Sequence, residues 1–550
     1  MGERSGRERI IRARTFDKDR CLTHRPPSSL PRVFKPNRPA TPVWRALTAI
    51  ALIASQLLAV PAARAQVLPG MSDGAEMTAT AERQLGDRIA RELYRDPDYV
   101  DDPVMVDYVQ DIWQRLMAAA RTRGELTPEL DERYAWTVLL GHDRTINAFA
   151  LPGGYLGLNM GLIAVVGSRD ELAAVLGHEL SHVTQRHISR MLTQQSRQAP
   201  WLIAAMILGA VAASKSRSGG DIGAAMMTGG SAFAQQKQLD FSRDMEREAD
   251  RIGYGVMTQA GFSPRGAAAM FEKLQFASRL NDNGAYPYLR SHPLTSERIT
   301  EMQARFQFRA EAVPPLPLEM DHAMISARAR VLTRPGVDVL RQWVAAADGS
   351  EFAKSSPAQQ AGTLYAAALS ASELRDARTA RAMAERLVAR SRGDAAASRL
   401  ARLLCAEIEL AARNAPAAAA LLNVNAKDRA EMMLAAQAAV AAHNPGPMTA
   451  PLRDWVATHP RDNGAWRALS ALYNEQGDTL RAIRAEAEAN VAILDYVAAR
   501  DRFRAAQDLV RANADGRGPV RIDHYEASII DTRAREVDVK AREQMNEKPL

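Results

Sequence analysis

Five hundred and fifty residues, 47% hydrophobic and 25% charged, suffice for two ordinary domains, and no long apolar spans recur along the chain as a polytopic membrane protein would need. The formal charge of +7 is a local effect: residues 1–65 hold 13 Lys or Arg and 4 Asp or Glu, leaving 58 basic and 60 acidic side chains beyond them, a net of −2, so nothing points to nucleic acid. Two cysteines, Cys21 and Cys405, exclude a disulfide-stapled fold.

The chain opens on an Arg- and Pro-rich stretch, residues 1–43, with no core of its own; it reads as sequence ahead of a later start, for which Val43 is a candidate. Trp44-Arg45 then precedes an apolar run from Ala46 to Val60, and Ala63-Arg64-Ala65 presents the small-x-small pattern of a signal-peptidase site. Cleavage before Gln66 and export of the remainder are expected, residues 1–65 being leader and signal peptide.

From Ile146 to Asn159, β-favouring residues surround the turn signal Pro152-Gly153-Gly154, and Tyr155 to Asn159 alternates as a short strand would. This is either a strand edge able to pair with an extended peptide or a plain hairpin under the next helix. Ser168-Arg-Asp-Glu171 reads as a capping box, and Leu172, Val175, Leu176 and Leu180 follow at helical spacing. Inside that helix lies His178-Glu179-Leu-Ser-His182. Two histidines four apart share a helix face and can hold one ion, with Glu179 one step toward a water on that ion. With 10 His and 64 acidic residues in the chain, chance predicts the pattern about 0.02 times. His187, five residues beyond His182, is expected to point off the ligand face into solvent.

Trp201 to Ala213 is apolar but too short to cross a bilayer, and Gly- and Ser-rich sequence follows; a lid, a contact with a membrane surface or partner, or a buried core helix all fit. A catalytic zinc takes three protein ligands and leaves a position open. Glu246 is the best third donor, since Asp250 lies one turn along the same face, able to orient an outer imidazole N–H. Glu248 is the competing ligand assignment, though its offset from Asp250 favours an outward-facing ion-pair partner.

Asn147-Ala-Phe-Ala-Leu-Pro-Gly-Gly-Tyr-Leu-Gly157, Gly161-Leu-Ile163, the His178 motif, Glu246-x-x-x-Asp250 and Ser291-His292-Pro293 occur in that order, and together they resemble the M48 peptidase family, in the branch that joins the protease to tetratricopeptide repeats. The resemblance is strong over residues 75–310 and looser beyond. It implies a zinc endopeptidase, one Zn²⁺ per chain, with His178, His182 and Glu246 as ligands and Glu179 as the general base that takes a proton from water and passes it to the departing amine. It also places the loop of His292 near the metal, as an oxyanion donor, a displaceable fourth ligand, or merely a turn residue in Arg290-Ser-His-Pro. Unfolded or misassembled outer-membrane proteins as substrates, and the β-barrel assembly machinery as partner through the repeats, are likewise what it implies for a periplasmic enzyme.

After a Pro-rich break at Val313-Pro-Pro-Leu-Pro-Leu318 the chain turns Ala-rich, with helical spacing from Ala358 to Leu422 and Ala426 to His443. Trp466, Leu469, Tyr473, Ala482 and Ala489, with Gly477-Asp478 between them, fit a tetratricopeptide repeat. Pro445-Gly-Pro447 and His459-Pro460 mark unit boundaries. The expected architecture is mainly α: a zincin-like metalloprotease domain with a small sheet at 66–312, a helical repeat domain at 313–515 and a charged tail at 516–550, fraying at its end. The rival function is a chaperone or adaptor whose repeats dominate and whose proteolysis is minor.

Overall fold

A computed structural model describes residues 77–194, 243–279, 286–307, 318–513 and 522–547. The leader, the presumed signal, the apolar 200–213 segment and most of the Pro-rich break lie outside the described residues.

Three helices and a strand lead into the sheet: α1 (Ala79–Arg95), β1 (Tyr99–Val100), α2 (Pro103–Thr122) and α3 (Pro128–Arg133). Thr78, Asp102 and Thr127 each cap the helix that follows, by accepting a backbone N–H in its first turn. Strands β2 (Thr137–Gly141), β3 (Ala148–Leu151) and β4 (Tyr155–Asn159) complete a four-stranded sheet in the order β1-β2-β4-β3. Strands β2 and β4 run parallel, and β3 pairs antiparallel with β4 through the Pro152-Gly153-Gly154 turn. Both glycines have positive φ, 71° and 86°, which the tight turn requires. The expected alternation in 155–159 is corrected: all five residues are buried, because β4 is an inner strand covered on both faces. The outer strand of the hairpin is β3.

Helix α4 (Met160–Val165) leads to α5 (Arg169–Thr184), which carries the His178 motif, and α6 (His187–Gln194) follows directly. The Ser168 cap accepts Glu171 N–H at 3.1 Å, but the reciprocal half of the predicted capping box is shifted: Glu171 accepts from Gly167 N at 2.8 Å and binds Lys273 at 2.6 Å. Helices α7 (Arg243–Gln259), α8 (Pro264–Arg279), α9 (Tyr288–Ser291) and α10 (Ser296–Gln307) close this half.

Beyond residue 318 the described chain is helical: α11 (Met320–Leu332), α12 (Val337–Ala346), α13 (Pro357–Glu373), α14 (Ala377–Arg390), α15 (Ala395–Ala411), α16 (Ala415–Ala420), α17 (Arg429–Ala441), α18 (Gly446–Thr458), α19 (Asn463–Glu475), α20 (Thr479–Ala492), α21 (Tyr496–Ala512) and α22 (His524–Asn546). Neighbours in sequence pack on one another, as in a stack of helix pairs. The α19–α20 pair carries the legible repeat, with Trp466, Leu469, Tyr473, Ala482 and Ala489 all buried and Gly477 at φ 72° in the turn. The end of the tail, where fraying is expected, lies outside the described residues; ahead of it α22 buries Ile530, Ala534, Val537 and Ala541, an apolar stripe hidden among 23 mostly charged or polar residues.

One apolar cluster runs without a break from Met105, Ile112 and Leu162 through Met324, Leu364 and Leu404 to Leu434. Polar contacts reinforce the join. Arg328, on α11, is buried and reaches Asp102 at the head of α2 (2.5 and 2.8 Å) and Glu407 on α15 (2.7 and 2.8 Å). His322 accepts or donates between Tyr108 Oη (2.6 Å) and the Val166 carbonyl (3.0 Å). No described helix is long and apolar enough to cross a membrane.

Candidate metal centre

Helices α5 and α7 cross at a pair of glycines. A Cβ on Gly253 would stand 2.9 Å from the Gly177 carbonyl group and from His178 N, and one on Gly177 would stand 3.2 Å from Gly253 O. Only residues without a side chain allow this approach, which sets the acidic turn of α7 against the imidazoles of α5.

At the crossing, His178, His182, Glu246 and His292 each present one donor atom, all within 4.8 Å of one another and all buried. His178 Nε2 lies 3.0 Å from His182 Nε2; Glu246 Oε2 is 3.5 Å from the first and Oε1 3.4 Å from the second. His292 Nδ1 is 3.0 Å from Glu246 Oε1 and 3.3 Å from His178 Nε2. Donors about 2.0–2.1 Å from a tetrahedral zinc stand roughly 3.4 Å apart, so these spacings fit one such ion. The chemistry of the set fits as well, two to three imidazoles and a carboxylate. Glu179 supplies a second test: both its oxygens are buried with no hydrogen-bond partner among the described residues, and His292 Nε2 is 3.5 Å from Oε1. A fully buried carboxylate left this way is built for a ligand or water beside it.

The electrostatics favour positive charge at this point. Burial alone would raise the carboxyl of Glu246, but His292, His178 and His182 hold it well below the ordinary range. Burial likewise opposes ionised Asp250, and Arg298 and His178 overcome it, so its pKa is lowered. His178, despite burial, is pushed up to about 10 by Asp250 and Glu246, whereas burial drives His182 well below its usual value.

Around the donors stands an orienting layer. Asp250 Oδ1 takes His178 Nδ1 at 3.0 Å, as the spacing on α7 predicts. Arg298 was not foreseen. From α10 it grips Asp250 with two bonds, 2.7 and 2.8 Å, touches Glu246 Oε2 at 2.8 Å, and donates to the Pro293 carbonyl at 2.9 Å. An arginine in a polar helix carries no local sign of such a role; only the fold brings it here.

His187 is a correction. It is fully buried, with Nδ1 2.9 Å from His182 Nδ1 and Nε2 3.1 Å from Glu248 Oε2. The outward expectation assumed an unbroken helix, whereas α5 ends at Thr184, Arg186 takes a left-handed conformation (φ 53°), and the chain turns the next ring inward. Burial pushes His187 down to about 4. Glu248 is the ion-pair partner expected, bound to Arg190 at 2.9 Å. His292 is no exposed turn residue: it ends α9, buried, its ring stacked on Tyr288 at 4.7 Å. An apolar cavity beside His178 and His292 is walled by Val175, Met257, Met270 and Phe271.

Residues 106–306, which hold every one of these side chains, match the sequence profile of Peptidase family M48. The chain carries a peptidase family M48 domain. Three bacterial relatives are similar to this chain. A Vibrio cholerae protein is 35% identical over 308 residues, 54% of this chain and 58% of its own length. The beta-barrel assembly-enhancing protease of Escherichia coli K12 is 31% identical, covering 60% of this chain and 64% of its own. That of Yersinia pestis is 28% identical over 423 residues, covering 76% and 82%. The chain thus spans less than two thirds of the length of the first and second of these.

Proposed function

We propose that this chain is a zinc-dependent endopeptidase of the bacterial periplasm, exported by a signal cleaved after Ala65, that degrades misassembled outer-membrane proteins. The observation that carries the reading is the buried carboxylate of Glu179, without a hydrogen-bond partner among the described residues, on the same helix as two converging imidazoles. The names of the relatives support the substrate class and the envelope location. We assign the peptidase to residues 66–312 and the partner-binding repeats to 313–515, contacting the barrel-assembly machinery.

His178, His182 and Glu246 would hold the ion, with His292 beside them as a fourth donor. When bound, zinc polarises the scissile carbonyl and acidifies the attacking water. Asp250 keeps the His178 proton on Nδ1, leaving Nε2 free to coordinate. Arg298 holds Asp250 and Glu246 in register and ties them to the loop of His292. Glu179 takes the proton of the water and delivers it to the departing amine. An extended peptide adds to β3, the outer strand of the hairpin, through main-chain bonds that tolerate many sequences, as suits unfolded or unpaired β segments. The cavity beside His178 accepts an apolar side chain.

The test is metal analysis of the purified chain paired with digestion of casein or an unfolded barrel protein, wild type against Glu179→Gln. About one zinc per chain in both, with cleavage by wild type only, is expected. Equal cleavage by both removes Glu179 from the mechanism. Full function of Glu179→Gln in cells favours a chaperone.

A further inference from the structure

The two imidazoles of the motif are anchored differently. His178 meets a carboxylate directly, Asp250 at 3.0 Å. At the outer nitrogen of His182 stands another imidazole, His187, at 2.9 Å, and behind it Glu248 at 3.1 Å, pinned by Arg190 at 2.9 Å. Two ring nitrogens this close share a single proton, because one must donate and the other accept. When Nε2 of His182 offers its lone pair to a cation, the ring's one proton lies on Nδ1 and is donated to His187. His187 then accepts on Nδ1, carries its own proton on Nε2 and donates it to Glu248. Every proton in the row has one place.

We propose that His187 is a positioning residue, fixing the tautomer and ring plane of His182 through a His182–His187–Glu248–Arg190 row. The assignment rests on reading the His178, His182 and Glu246 cluster as a zinc site. The arrangement also explains why a fully buried ring at this position is polar. A phenyl group would fill the same space with no nitrogen to desolvate, and filling space is all that a packing role needs.

The experiment compares the full chain with His187→Phe, His187→Gln and Glu248→Gln. It measures zinc affinity by competition with a chromophoric chelator, the visible spectrum of the cobalt-substituted protein, and the melting temperature of the metal-free form. His187→Phe, which keeps shape and loses the acceptor, is expected to weaken zinc binding about 10- to 100-fold and to alter the cobalt bands. His187→Gln, whose amide can accept and donate, is expected to restore most of the affinity, which a packing role would not do. Glu248→Gln, half-buried and ion-paired, is expected to lose several-fold. Wild-type affinity and cobalt spectrum in His187→Phe overturn the proposal; should that variant fail to fold, wild-type affinity in Glu248→Gln overturns it. Failure of the wild-type chain itself to bind zinc refutes instead the zinc reading on which the proposal stands.

Discussion

Replacing Gly253 with alanine sets two effects against each other. In an ordinary helix the change gains about 0.8–1 kcal/mol, because alanine loses less backbone freedom on folding. Here the new methyl stands 2.9 Å from the carbonyl group of Gly177 and from His178 N. Carbon contacts settle at about 3.5–4.0 Å, so α7 must retreat by roughly 0.6 Å or more from α5. The obstacle is backbone, which cannot rotate away as a side chain would. Such overpacking costs about 1–3 kcal/mol. The retreat carries Glu246 and Asp250 with it, and a zinc site tolerates shifts of only about 0.2 Å in its ligand distances. The expected result is a lower melting temperature and at least tenfold weaker zinc binding, about 1.4 kcal/mol. Gly177→Ala, whose methyl meets one carbonyl at 3.2 Å, is expected to do the same to a lesser degree. Thermal melts and chelator competition read both quantities. A Gly253→Ala protein that melts higher and binds zinc as wild type does would show that the helix crossing does not set the metal geometry.

Arg298→Lys keeps the charge and loses the fork that holds Asp250 and Glu246 together, so zinc affinity is expected to fall about 10- to 100-fold in the same competition assay. Asp462 binds Arg429 by two bonds and accepts from Trp455 and Ala465; burial opposes its charge, but Arg429 wins and holds its pKa below the ordinary value. The stabilisation is therefore complete above the unfolded pKa, about 4, and fades as pH falls through the lower folded value. Asp462→Asn is expected to cost about 3 kcal/mol at neutral pH, with the gap from wild type closing below pH 4 in melts against pH. A fragment ending at residue 312 strips the cover from Tyr108, Ile112 and Leu162, and is expected to aggregate or melt far below the full chain on size exclusion and circular dichroism.

The donor set was legible because its signals are local. A step of four from one histidine to the next, and from one acid to the next, is a helix-face spacing, and a helix turns both pairs toward one side whatever surrounds it. The turn at Pro152-Gly153-Gly154 followed from equally local chemistry. What escaped is what depends on where helices end and how near they come. His187 was misread because a single left-handed residue, Arg186, redirects the chain. Gly177 and Gly253 look like ordinary weak points until two backbones are brought together, and Arg298 acquires its role from Asp250 and Glu246, both about fifty residues away in sequence. The charged segment after 516 hid its apolar stripe among arginines and glutamates, and only its neighbours α20 and α21, brought up by the fold, give that stripe something to bury against.

The bond between His322 and the Val166 carbonyl has a mechanical consequence. Val166 stands two residues ahead of Ser168, where the histidine-bearing helix begins, and His322 belongs to the first helix of the C-terminal stack. A displacement of that stack is therefore passed to the start of the helix that carries His178 and His182, across one side chain and two peptide links. Neither half can shift without tugging on the other.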